Sequence, residues 1–172
     1  MNPAAGELAS ATGDAFATLR SDHEVVKNLL AELVQPDDRT LRRTMLNRLK
    51  TALAIHNATE ESLIYPATRV LAGRKDRAER LYRETAEADV LLFEIDLLRE
   101  DDDVPDFDEK VAKLRDAIVA HIDEEETTIF PDLLDRLGAD GCKRLAQSMR
   151  EFRGAFEPHP SQSKIREVEG LG

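Results

Sequence analysis

The chain carries one helical hairpin twice. Residues 54–73 read AIHNATEESLIYPATRVLAG and residues 119–138 read VAHIDEEETTIFPDLLDRLG, an offset of 65. His56 falls on His121, Glu60 on Glu125, Ile64 on Ile129, Tyr65 on Phe130, Pro66 on Pro131 and Gly73 on Gly138. The preceding segments superpose at an offset of 62: Phe16, Leu19, His23, Val26, Leu30 and Leu33 fall on Ala78, Leu81, Thr85, Ala88, Leu92 and Ile95. Alternating steps of three and four mark one buried helical stripe. Two copies of such a hairpin face each other across a pseudo-twofold axis, so equivalent residues converge near the centre of a bundle.

The rest of the chain fits this reading. Aromatics are 5% of the residues and Trp is absent, while Ala, Leu, Glu and Arg recur, a helix-forming rather than sheet-forming balance. The expected fold is all-α: an up-down-up-down antiparallel four-helix bundle with a short extra C-terminal helix. The first helix ends near Val34, before a Pro36-Asp37-Asp38 turn. The second buries Leu49, Leu53, His56, Glu60 and Ile64, with Gly73 as its C-terminal cap. The third runs from about Asp76 to Arg99. An acidic run, Glu100 to Asp103, and Pro105 form a loop. The fourth helix, from about Asp106 to Gly138, buries Leu114, Ile118, His121, Glu125 and Ile129. A fifth carries Leu145, Met149, Phe152 and Phe156 on one face. Residues 1–13 are expected to be a flexible N-terminus, 14–157 the bundle, and 158–172 a disordered tail.

Charge and length narrow the partners. The net charge of −11 repels phosphate backbones, so no nucleic acid is expected. No basic amphipathic face or long apolar run suggests a membrane. The N-terminal residues lack the pattern of a secretory signal, and the single Cys142 allows no internal disulfide; the expectation is a cytoplasmic monomer.

The chemistry lies in the repeated H-x-x-x-E. Residues four apart share a helix face, roughly 5–6 Å apart at Cβ. Two such helices bring two imidazoles and two carboxylates together, and His23 adds a third imidazole. A buried carboxylate without a partner is costly, and no Lys or Arg occupies these stripes. A cation between the helices solves the problem in both copies. The expected metal ligands are therefore His23, His56, Glu60, His121 and Glu125. Mixed nitrogen and oxygen donors suit iron, with manganese and zinc as alternatives, and five convergent ligands suit a dinuclear centre.

Three segments, SDHEVVKNLL around His23, HNATEESLIYP from His56 and HIDEEETTIFP from His121, resemble the hemerythrin-like, or HHE cation-binding, domain family. The likeness runs from about Asp14 to Phe156. It implies a hemerythrin-type bundle with a non-haem di-iron centre, and oxygen, nitric oxide or peroxide as the small ligand. Carriage, sensing, peroxide or nitric oxide turnover and iron handling are all within the family's range. The family pattern implies a further His at position 85, where this chain has Thr. One or two irons per chain, or a metal-depleted scaffold, follow as alternatives. Glu84, Asp89 and Tyr82 are the nearby candidates to replace the missing donor. Tyr65 and Phe130 are read as packing residues, and Glu61, Glu124 and Glu126 as solvated.

Overall fold

A computed structural model describes residues 15–34, 39–71, 73–98 and 104–156. The expected flexible N-terminus, the Pro36 turn, the acidic run and the tail fall outside the described residues. Those that are described are helical, with no strand among them: α1 (Ala17–Leu33), α2 (Arg39–Thr59), α3 (Tyr65–Val70), α4 (Lys75–Leu97), α5 (Val104–Glu124) and α6 (Phe130–Ala155). A π-helical turn, Glu60–Ile64, joins α2 to α3, and a second, Glu125–Ile129, joins α5 to α6.

The helices close into a bundle. α1 packs on α2 and α5, α4 packs on α3 and α5, and α2 also touches α4. The stripes read from the sequence face inward. Leu19, His23, Val26, Leu30 and Leu33 of α1 are buried, as are Leu49, Leu53 and His56 of α2 and Leu81, Thr85, Leu92 and Ile95 of α4.

The π turns recur because the sequence recurs. Proline lacks the N–H that would continue an α-helix, and its ring collides with the carbonyl four residues back. Pro66 and Pro131 stand at the second position of α3 and α6. The chain absorbs each by taking in an extra residue, so the Tyr65 N–H reaches Glu60 and the Phe130 N–H reaches Glu125, five residues back. Glu60 and Glu125 therefore each open a widened turn.

One boundary differs from the sequence reading, and the break expected at Gly138 is present. α5 begins at Val104, so Pro105 lies in its first turn rather than in a loop. Proline is tolerated there because the N–H it lacks has no partner in a first turn. At Gly138 the backbone leaves helical geometry (φ 60°, ψ −178°) inside α6, and the chain beyond it turns back to the bundle. Gly73, also at positive φ (61°), ends the second helix, with the Arg74 N–H reaching the Thr68 carbonyl at 3.3 Å.

The core has two apolar clusters. One holds Val26, Leu30, Leu53, Leu92, Leu114 and Ile118; the other holds Phe16, Leu19, Ile64, Leu81, Ile129 and Phe130. Polar residues separate them: His23 on α1, His56 on α2, Thr85 on α4 and Glu125 just beyond α5. The polar layer is thus closed off above and below by hydrocarbon.

Candidate metal centre

His23, His56, Glu60 and Glu125 are buried, and each offers one ligand atom within 4.8 Å of the others, an arrangement that could hold a metal ion. His23 Nε2 lies 3.4 Å from Glu125 and 3.7 Å from Glu60. His56 Nε2 lies 3.1 Å from Glu60. His121 joins from the side, its Nε2 3.4 Å from Glu125 and 3.9 Å from Glu60. All five residues predicted from the repeat converge on one region.

The outer atoms of the three imidazoles follow one rule. Each Nδ1–H donates to a carboxylate: His23 to Glu126 at 2.7 Å, His121 to Glu84 at 3.1 Å and His56 to Asp22 at 3.4 Å. A carboxylate on Nδ1 fixes the ring and turns the Nε2 lone pair inward, the usual outer support of metal-binding histidine. Two of these acids have a guanidinium behind them: Arg153 binds both oxygens of Asp22, and Arg80 pairs with Glu84.

The inner atoms tell the opposite story. His23 Nε2, Glu60 Oε1 and both oxygens of Glu125 are buried without a hydrogen-bond partner. Orphaned polar atoms are rare and costly in a core. Four of them in one apolar-walled layer fit a cation, and the donor set suits a first-row transition metal.

Electrostatics agree. Burial opposes charge on His23, yet the nearby Glu125 and Glu60 carboxylates raise its pKa to about 9. Burial is likewise outweighed at His56, raised to about 10 by the Glu60 charge and Asp22, and at His121, raised to about 11 by Glu125 and Glu60. Glu60 is pulled well below its ordinary value: burial raises it, but the charge of His56 and the nearness of the His121 and His23 rings win. Glu125 is pushed up by burial and by the neighbouring Glu60 charge. Without a metal, protons do the neutralising that a cation would do.

The chain matches the Hemerythrin HHE cation binding domain over residues 14–133. It belongs to that family. The hemerythrin-like chain is also 30% identical over 137 residues to a protein called DNA nickase from Nostoc sp. (strain PCC 7120 / SAG 25.82 / UTEX 2576). The match covers 80% of this chain and 37% of that relative, so the chain spans little more than a third of the relative's length. No solved structure matches it.

Several parts of this hemerythrin-like site escaped the sequence reading. Tyr65, read as packing, places its hydroxyl 2.8 Å from Thr85 Oγ1 and 3.1 Å from both Glu60 Oε2 and His121 Nε2. Burial and the charges of Glu60 and Glu125 raise its pKa well above the ordinary phenol value. Glu126, read as solvated, holds His23; Glu124 pairs with Arg77 and Arg80. The three residues suggested for the missing donor are engaged elsewhere. Glu84 supports His121, Asp89 accepts from Asn57 at 3.2 Å, and Tyr82 donates to the Glu61 carbonyl at 2.8 Å. Asp22 and Arg153 carried no signal, because their partners lie far away in sequence. Cys142 is buried in the second apolar cluster.

Beside Thr85, between His56 and His121, a cavity of about 30 Å³ is walled mostly by apolar side chains such as Val26, Leu53, Ala88 and Ile118, with Asn57 and Glu84 also lining it. No described helix is long and apolar enough to cross a membrane.

Proposed function

We propose that this hemerythrin-like chain is a non-haem iron protein. In this reading His23, His56, Glu60, His121 and Glu125 hold a di-iron centre in an up-down-up-down bundle, and the centre binds oxygen, nitric oxide or peroxide. One observation carries it: the unpartnered inner atoms of His23, Glu60 and Glu125, in a layer where carboxylates hold every outer imidazole nitrogen. Iron is preferred over manganese and zinc because mixed imidazole and carboxylate donors with an open position suit it, and because thiolates take no part.

The division of labour follows from the geometry. Bound iron would supply reversible electron transfer and a Lewis-acidic position for the ligand. The chain's own residues orient and exclude. Glu126, Glu84 and Asp22 set the imidazole orientations, and the two apolar clusters keep bulk water from the layer. The cavity beside Thr85 has room for a water-sized or diatomic guest, and its largely hydrocarbon walls favour a small uncharged one.

DNA nicking is not carried over from the relative. The match covers 37% of that protein, and a net charge of −11 opposes a phosphate backbone.

Elemental analysis of the purified protein, with its visible spectrum, tests the proposal. About two irons per chain, with ferric bands in the oxidised protein and a reversible spectral change when the reduced protein meets oxygen or nitric oxide, is the expected result. Peroxide or nitric oxide consumption that scales with iron would make the centre an enzyme rather than a carrier. Failure to take up any metal after reconstitution would leave a bundle that keeps the ligand positions without the function.

A further inference from the structure

The two halves of the repeat differ at two places that touch. In one contact, His23 of the first copy stacks on Phe130 of the second, with ring centres 5.9 Å apart and planes 8° from parallel. In the equivalent contact, Thr85 of the second copy and Tyr65 of the first are joined by a 2.8 Å hydrogen bond. Each contact therefore offers one inward-facing donor beyond the two H-x-x-x-E pairs, and both donors come from the first copy. It is an imidazole on the first helix in one case and a hydroxyl on the π turn's exit in the other. The loss of His at position 85 and the gain of a phenol oxygen at position 65 are matched in space.

We propose that Tyr65 Oη is itself a metal ligand, supplying as phenolate the donor that Thr85 cannot. The proposal rests on the metal-centre reading above. Tyr65 is fully buried, and its oxygen approaches Glu60 Oε2 and His121 Nε2, both at 3.1 Å. Those atoms belong to two of the five residues assigned to the metal, so three donors of different kinds close on one point. Thr85, a side chain much shorter than His, leaves the space the phenol occupies. On ligation the phenol O–H bond breaks, the proton is released to solvent, and the oxygen's lone pair binds the cation. The Thr85 hydroxyl is then placed to donate to the phenolate, which makes Thr85 a positioning residue. Phenolate is a hard, anionic donor that suits ferric iron and would offset its charge.

The test is resonance Raman spectroscopy on the full chain loaded with ferric iron, with iron stoichiometry measured on the same sample. The chain has two tyrosines, so two variants assign any signal. The expected result is a visible phenolate-to-iron charge-transfer band with enhanced tyrosinate ring modes. These modes persist in Tyr82→Phe and disappear in Tyr65→Phe. Should Tyr65→Phe fail to fold or to keep iron, modes that persist in Tyr82→Phe still assign the ligand to Tyr65. Iron bound at full stoichiometry without tyrosinate modes would overturn the proposal and leave the metal centre standing. Modes lost in Tyr82→Phe but kept in Tyr65→Phe would also overturn it. An inability of the unmodified chain to bind iron would remove both readings at once.

Discussion

The guanidinium of Arg153 grips both carboxylate oxygens of Asp22, at 2.7 and 3.1 Å, and the same carboxylate lies 3.4 Å from His56 Nδ1. Arg153 stands beyond the Gly138 break and outside the residues that match the family, 14–133. The last helix thus reaches back to a ring that the repeat places at the centre.

Truncating Arg153 should loosen that ring. Supports of this kind typically change metal affinity by about 10–100-fold. Arg153→Ala should therefore release iron to a chelator faster, by roughly that factor, with the helical content unchanged. Arg153→Lys should recover part of the retention, since it keeps the charge but not the paired geometry. Chelator-transfer rates identical in all three proteins would show that Asp22 holds His56 without help.

Glu60 is the hub of the metal-free core, within 3.9 Å of three imidazoles. Breaking a buried ion pair by removing one partner costs about 3–5 kcal/mol. Glu60→Gln should lower the stability of the metal-free protein by about that much and abolish iron binding. Urea unfolding and elemental analysis check the two halves separately. Retained iron would remove Glu60 from the ligand set.

The metal-free and metal-loaded proteins should part company as pH rises. His23, His56 and His121 are raised from 6.5 to about 9, 10 and 11, so their contribution to stability is complete below 6.5 and lost as pH climbs through those values. Glu60, lowered, contributes above 4.5 and loses its contribution as pH falls below it; Glu125, raised, has the opposite sign and shallows the curve. Bound metal replaces the protons, so retention strengthens with pH. Melting temperatures should diverge between about pH 7 and 10, the metal-free protein falling and the loaded one holding. Parallel curves would mean that protons and metal do not compete for these rings.

Position 85 and position 65 should behave as one unit. An imidazole placed at position 85 meets the Tyr65 hydroxyl, now 2.8 Å from Thr85 Oγ1. Thr85→His alone should destabilise, by about 1–3 kcal/mol for overpacking. Combined with Tyr65→Phe, it should regain stability and metal by restoring the arrangement that His23 and Phe130 already show. A double-mutant cycle measures the coupling, and additive effects would mean the two side chains do not share the space.

The family, the bundle's inward stripes and the five convergent residues were legible in the chain. Helical periodicity and a repeat are local properties, readable wherever residues three and four apart share a face. The doubled H-x-x-x-E, with His23, pointed to a cation site, because a buried carboxylate without a cation on its stripe demands a partner. The π turns had a visible cause in Pro66 and Pro131 but no visible consequence, since only the closed bundle shows which side chains a widened turn redirects. Tyr65 shows why composition and spacing stop short. Its equivalent, Phe130, can only pack, and nothing local separates a packing phenol from one aimed at Glu60 and His121. Asp22, Glu126 and Arg153 are ordinary charged residues until helices distant in sequence are brought together. Which residues face inward is decided along one helix; which of them meet, and what holds each ring in place, is decided between helices, where distance in the chain no longer measures distance in space.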